Sequence, residues 1–170
     1  MLFNSWQFAL FFPVVFFMYW LLPHRFRIYI LFVSSCYFYM SWNAKYIVLI
    51  LFTTAVSYTA ARLIERFRTY RKPIMITALI MCLGVLFVFK YFNFVSQSLS
   101  DFMNIFAVHI HPMTLKLMLP VGISFYTFQT LSYVIDVYRG TTKAEHNFIV
   151  YAVFVSFFPQ LVAGPIERTN

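Results

Sequence analysis

The sequence predicts an all-α integral membrane protein, a multi-pass helical bundle of about five to six hydrophobic helices, some short or broken. Three observations carry that prediction. Hydrophobic residues make up 62% of the chain and charged residues only 11%, with a mean hydropathy of +0.76, whereas a soluble domain carries about 25% charged residues. The apolar runs are separated only by short polar punctuation, so no polar face is available to cover a water-soluble core. Lipid offers backbone N–H and C=O groups no partner, which leaves helices as the natural form of such runs.

The apolar blocks fall at 6–22, 28–42, 46–64, 74–94, 117–137 and 148–162. A full crossing takes about 20 residues, so the second and sixth blocks are short and suit re-entrant or tilted half-spans. The first block reads as a retained helix: no Lys or Arg precedes it, and no small-residue cleavage site follows. Tyr19-Trp20, Tyr37 to Trp42, Tyr91-Phe92 and Tyr151 crowd the block ends, where amphipathic rings sit at headgroup level. Nothing marks a second domain, so residues 1–170 are expected to form one membrane domain.

The net charge of +8 does not point to nucleic acid, because the basic residues gather in connections between apolar blocks. Arg25 and Arg27 form one group, Arg62, Arg66, Arg68, Arg71 and Lys72 a second, and Arg139 with Lys143 a third. Placing all three inside the cell obeys the positive-inside rule and puts the amino terminus outside. The 62–72 connection also suits the inner leaflet, where cations meet anionic lipid. Ser96, Gln97, Ser98, Ser100 and Asp101 are expected to open an external loop, with Met103, Ile105, Phe106 and Val108 on a short amphipathic surface helix.

Common soluble chemistries have little to work with here. Five acids and four glycines provide no nucleophile elbow, phosphate-cradling loop or paired carboxylates. Cys36 and Cys82 sit in apolar blocks as small hydrophobes. His109 and His111 can face one metal ion from an extended segment, but no further ligand accompanies them beyond Asp101. His24 and His146 fall in basic connections, where lipid phosphate or water meets them.

The fifth block differs from the rest. Gly122, Tyr126, Gln129, Tyr133 and Asp136 recur at steps of four and three and share one helix face, with Arg139 one turn beyond Asp136. Phe128, Leu131 and Ile135 fall elsewhere and are expected to meet lipid. The polar face suits either close packing or a cavity, and ionisable groups at membrane depth tend to mark pathways. Ser124, Thr127 and Ser132 are expected to bond back to their own helix. In the sixth block Pro159 and Gly164-Pro165 break the helix, leaving Gln160, Glu167 and Arg168 to line the gap.

These residues resemble the membrane-bound O-acyltransferases, in the bacterial branch similar to the alginate O-acetylation protein. The likeness rests on Leu119-Pro120-Val121-Gly122-Ile123-Ser124-Phe125-Tyr126-Thr127-Phe128-Gln129, on Ser132-Tyr133 with Asp136-Val137-Tyr138-Arg139-Gly140, and on Phe158-Pro159-Gln160-Leu161-Val162-Ala163-Gly164-Pro165-Ile166. Met1 to Ser5 and Tyr39-Met40-Ser41-Trp42 add weaker support. The resemblance implies transfer of an acyl group, acetyl by preference, from a cytoplasmic thioester such as acetyl-CoA to hydroxyls of an exported or cell-envelope polysaccharide in the bacterial inner membrane. It implies no bound cofactor, and as partners membrane lipid and other polysaccharide-acetylation proteins. Gly122, Tyr126, Gln129, Tyr133, Asp136, Arg139, Pro159, Gln160, Gly164 and Pro165 are the expected pocket wall.

The family's histidine, which acts on the acceptor hydroxyl as a general base, stands in a Trp-His stretch that has no counterpart here. None of His24, His109, His111 or His146 has that context. The catalytic histidine is therefore expected beyond Asn170, and the chain is expected to be an amino-terminal piece of a longer enzyme, inactive alone. The competing reading is a non-catalytic multi-pass subunit, transporter-like or an assembly partner of polysaccharide export.

Overall fold

The computed structural model describes residues 5–41, 43–105 and 122–163. Ser5 opens helix α1 (Trp6–Leu21), its side chain accepting from the Phe8 N–H at 3.3 Å. Pro23 stops that helix and immediately precedes α2 (His24–Met40), which begins four residues before the apolar block. Arg27 explains the early start. Its Nε donates to the Leu22 carbonyl at 3.2 Å, and its guanidinium lies 5.1 Å over Tyr19 and 5.6 Å over Trp20, so the turn is pinned by a cation bedded on aromatic rings.

Asn43 accepts from the Lys45 N–H and starts a short 3₁₀ turn, Ala44–Tyr46, that runs into α3 (Ile47–Arg66). A second such turn, Arg68–Tyr70, leads into α4 (Arg71–Leu86), and Arg71 Nε ties back to the Ile64 carbonyl at 3.2 Å. A π turn at Phe87–Tyr91 then joins α4 to α5 (Phe92–Ile105). The polar stretch from Ser96 to Asp101 is thus helical and does not open a loop. Its polar residues fall on one side of an amphipathic helix, so the apolar pattern ends while the helix continues. Phe106, Val108, His109 and His111 lie outside the described residues, as do Trp42 and Met1 to Asn4.

The later helices are α6 (Ile123–Arg139), α7 (Phe148–Ser156) and α8 (Phe158–Ala163). Among the described residues the fold is all-α. Two continuous helical runs are long and apolar enough to cross a membrane, Ala44–Arg66 with 23 residues and Arg68–Ser100 with 33. Helices α3, α4, α6 and α7 meet in one core, with Ile50, Ala61, Ile64, Tyr126, Val134 and Val155 each at most 1% exposed. Ala60 on α3 and Ala78 on α4 keep the two helices close, as small residues do where lipid gives no hydrophobic drive to associate.

Helices α1, α2 and α8 form a satellite cluster in which Phe8, Phe11, Phe38 and Phe158 pack ring on ring, with centroids 5.4–6.4 Å apart. Outside these cores the surface is apolar, from 62% exposed at Phe17 and Trp20 to 87% at Trp6, with Ile80 at 66% and Phe94 at 70%. Contiguous patches of that kind mark contact with membrane or protein. This is a membrane protein, with lipid as its solvent.

Candidate functional site

Gly122 enters α6 in the left-handed region, φ 75°, a conformation that costs a side-chain-bearing residue about 1–2 kcal/mol. The predicted face then follows. Tyr126, Gln129 and Tyr133 are buried, Asp136 is half-buried and Arg139 is exposed. Leu131 departs from expectation: it is 7% exposed, because α6 packs between α3 and α4 and keeps only part of its girth for lipid. Phe128, 49% exposed, remains on that outward part.

The structure joins the two late motifs. Helix α7 ends at Ser156, and Phe157 is extended with ψ 113°, so the break falls two residues before Pro159, which sits inside the first turn of α8. Proline is tolerated in a first turn but not in a helix interior, where it lacks an N–H and its ring meets the preceding turn. In an unbroken helix the Phe154 carbonyl would accept from residue 158. Here Gln129 Nε2 donates to it instead, at 3.1 Å. The amide of one motif satisfies a carbonyl released by the other.

Helices α2 and α6 also carry buried polar atoms that lack a bonding partner. Gln129 Oε1, Thr127 Oγ1 and Ser35 Oγ are buried and unpaired among the described residues, and the buried Tyr126 and Tyr39 hydroxyls have no neighbour to pair with but each other. The Tyr126 ring stands edge-on to Tyr39 at 6.4 Å, which brings α2 to the site. Thr127 does not bond back to its helix as expected, and Ser124 Oγ accepts from Lys90 Nζ at 3.4 Å. Buried unpaired groups are rare because each costs about 1–3 kcal/mol, so the free Oε1 of Gln129 on this face is informative.

Further along the face, Tyr133 OH accepts the Glu145 N–H at 2.8 Å and its ring lies 4.5 Å from that of Tyr151. Tyr151 OH donates to Ser57 Oγ at 2.7 Å, and Ser57 Oγ donates on to the Thr53 carbonyl at 2.7 Å. Sequence reasoning did not bring Tyr151 or Ser57 to this face. The available signal was the Thr53-Thr54-Ser57 stripe, polar residues one helical turn apart in an apolar block.

Asp136 serves through its backbone. Its carbonyl accepts from both the N–H and the hydroxyl of Thr141, each at 3.0 Å, where Gly140 at φ 79° turns the chain out of α6. Among the described residues no ion pair joins Asp136 to Arg139. At the same end Arg62 Nη1 lies 2.6 Å from His146 Nδ1, with Glu65 Oε2 3.9 Å from His146 Nε2, so the connections after α3 and α6 share one end of the bundle. Gln160 is half-buried in α8. Gly164, Pro165, Glu167, Arg168 and Asn170 lie outside the described residues, so the expected histidine beyond Asn170 rests on the family resemblance alone. Among the described residues no cluster of His, Cys, Asp or Glu is arranged to hold a metal ion.

An apolar exterior around a helix bearing buried, unpaired amide and hydroxyl groups defines a membrane protein whose polar chemistry is interior. Comparison with known proteins adds its relatives. The chain is 39% identical to the probable alginate O-acetylase of Pseudomonas aeruginosa over 99% of this chain and 33% of that protein. It is 38% identical to the probable alginate O-acetylase of Azotobacter vinelandii over 99% of this chain and 34% of that protein. It is also 32% identical to the peptidoglycan O-acetyltransferase of Helicobacter pylori over 79% of this chain and 29% of that protein. These relatives agree with the resemblance to the membrane-bound O-acyltransferases, in the alginate O-acetylase-like branch, and the chain spans about a third of the length of the curated relatives it matches. No family model matches it, and no solved structure does.

Proposed function

We propose that the intact protein is an inner-membrane O-acyltransferase that moves an acetyl group from a cytoplasmic thioester, acetyl-CoA, to hydroxyls of an exported or cell-envelope polysaccharide. Relatives named as an alginate O-acetylase and a peptidoglycan O-acetyltransferase support an acetyl donor and a glycan acceptor. The observation that carries the reading is the Gln129 amide held on the Phe154 carbonyl with its Oε1 buried and unpaired, one turn from a buried Tyr126 hydroxyl that has only Tyr39 beside it. A carbonyl acceptor and a hydroxyl, fixed in place before substrate arrives, are suited to orienting an acceptor hydroxyl or a thioester carbonyl.

Residues 122–139 and 157–165 would then be a wall of the reaction chamber. The general base is assigned to a histidine of the intact protein beyond Asn170, since His146 is engaged by Arg62 at one end of the bundle. On this proposal residues 1–170 alone do not transfer acetyl groups, and other polysaccharide-acetylation proteins pass the group onward. The basic connections face the cytoplasm and the amino terminus lies outside, a placement favoured by the shared end of the 62–72 and 139–146 connections.

The test uses membranes containing the intact protein, acetyl-labelled acetyl-CoA and the exported polysaccharide from the same cells. Label appearing in alkali-labile esters on the glycan supports the enzyme. Neither transfer nor donor hydrolysis, with the protein present at normal abundance, returns the chain to a non-catalytic subunit of export.

A further inference from the structure

Away from the polar face, α3 and α4 diverge on their outer side and leave an open cleft of about 460 Å³. It begins at Tyr70 in the connecting turn and runs between Leu63, Thr59 and Val56 on α3 and Ile74, Thr77 and Met81 on α4. At 1.5 Å per helical residue it reaches about 10 Å along α3. Ala60 and Ala78 form its floor.

The cleft has an apolar wall and a cationic mouth. Its two threonines turn their hydroxyls onto their own helices, Thr59 Oγ1 to the Ala55 carbonyl at 2.8 Å and Thr77 Oγ1 to the Pro73 carbonyl at 2.9 Å. Within the slot this leaves no free hydroxyl proton to recognise a sugar or a peptide, and the Tyr70 hydroxyl at its end is the one polar group there among the described residues. The mouth is the end lined by Tyr70 and Pro73, and the chain on either side of Tyr70 carries Arg66, Arg68, Arg71 and Lys72 against the single carboxylate of Glu65. Arg71 already holds the Ile64 carbonyl through Nε and Arg66 lies over Phe67, while among the described residues Arg68 and Lys72 pair with no carboxylate and are exposed.

We propose that this cleft is a specific site for one anionic phospholipid, an acyl chain lying between α3 and α4 and the headgroup phosphate on Arg68 and Lys72. An apolar slot and a cluster of cations at headgroup level are complementary to the two halves of that molecule. Neither half alone selects it. A zwitterionic lipid matches the slot but not the charge, and a soluble anion matches only the charge.

The experiment purifies the intact protein into nanodiscs of equal phosphatidylglycerol and phosphatidylcholine and reads retained lipid by native mass spectrometry after transfer to mild detergent. Three forms are compared: the natural sequence, Thr59→Phe with Thr77→Phe to fill the slot from exposed positions, and Arg68→Gln with Lys72→Gln to discharge the mouth. The natural sequence should retain one phosphatidylglycerol. Filling the slot should abolish retention, and discharging the mouth should lower the preference for phosphatidylglycerol by about tenfold. Equal retention of both lipids by the natural sequence, no retained lipid because protein covers the cleft, or unchanged retention in the filled slot each overturns the proposal. Thermal unfolding of every form identifies a variant lost to misfolding, in which case Thr77→Leu alone decides.

Discussion

Helices α6 and α4 both arise from apolar blocks of the sequence, yet they have opposite relations to their surroundings. Nine of the 17 residues of α6 are buried, five of them polar or tyrosine. Only three of the 16 residues of α4 are buried, all small or apolar, and its outward residues include Ile76, Ile80, Met81 and Leu83. In lipid the polar groups go where protein surrounds them, because solvent offers them nothing. The helix with the more polar sequence is therefore the more buried one, the reverse of a soluble protein, and the polar residues of α6 are where chemistry is to be sought.

The comparison breaks first at Tyr126, which is 0% exposed. Tyr126→Ala should cost about 3–5 kcal/mol by opening a cavity, read as a lowered unfolding midpoint in detergent. A loss below about 1 kcal/mol, the level of a surface change, would place α6 at the lipid boundary. Gln129→Leu comes next: it leaves the Phe154 carbonyl unpaired at about 1–3 kcal/mol. Gln129→Glu should rescue it only while the buried carboxyl is protonated, since the neutral acid has an O–H for that carbonyl and the ionised form has no donor.

Two smaller effects sharpen the contrast. Ser57→Ala strips Tyr151 OH of its acceptor and should cost about 1–2 kcal/mol, with no further loss when Tyr151→Phe is added. Gly140→Ala should cost about 1–2 kcal/mol through its left-handed φ alone, because no atom stands within 4 Å of a Cβ there. The smallest change belongs to α4. Ile80→Ala should stay within about 0.5 kcal/mol in the same measurement, since lipid meets the side chain in both folded and loosened states.

How far the sequence foretold this depends on whether a feature is local. Period and composition sufficed for the first block, whose helix closes at Leu21, and for the α6 face from Tyr126 to Tyr133, because both follow from helical spacing along one segment. The helical stretch beyond Phe94 was hidden because amphipathic and loop sequences look alike once the apolar run stops. The break before Pro159 was foreseen, but its position at Phe157 follows from proline's fit in a first turn. The links from Tyr151 to Ser57 and from Arg62 to His146 span 94 and 84 residues, and one sequence does not reveal which faces meet at that distance. Leu131 was misplaced for the same reason: its side of α6 is apolar, and only packing decides whether protein or lipid covers it.

On the proposed function, the Gln129 contact with the broken α7–α8 helix shapes an acyl-transfer chamber in the intact protein. The direct measurement is ester-linked acetyl on the exported polysaccharide of cells carrying Gln129→Leu or Ile80→Leu in the chromosomal copy, normalised to membrane abundance. Gln129→Leu should lower acetylation by about tenfold or more, as loss of a positioning contact does, while Ile80→Leu should leave it unchanged. Full acetylation with Gln129→Leu at normal abundance would contradict that proposal and make the polar face a packing seam.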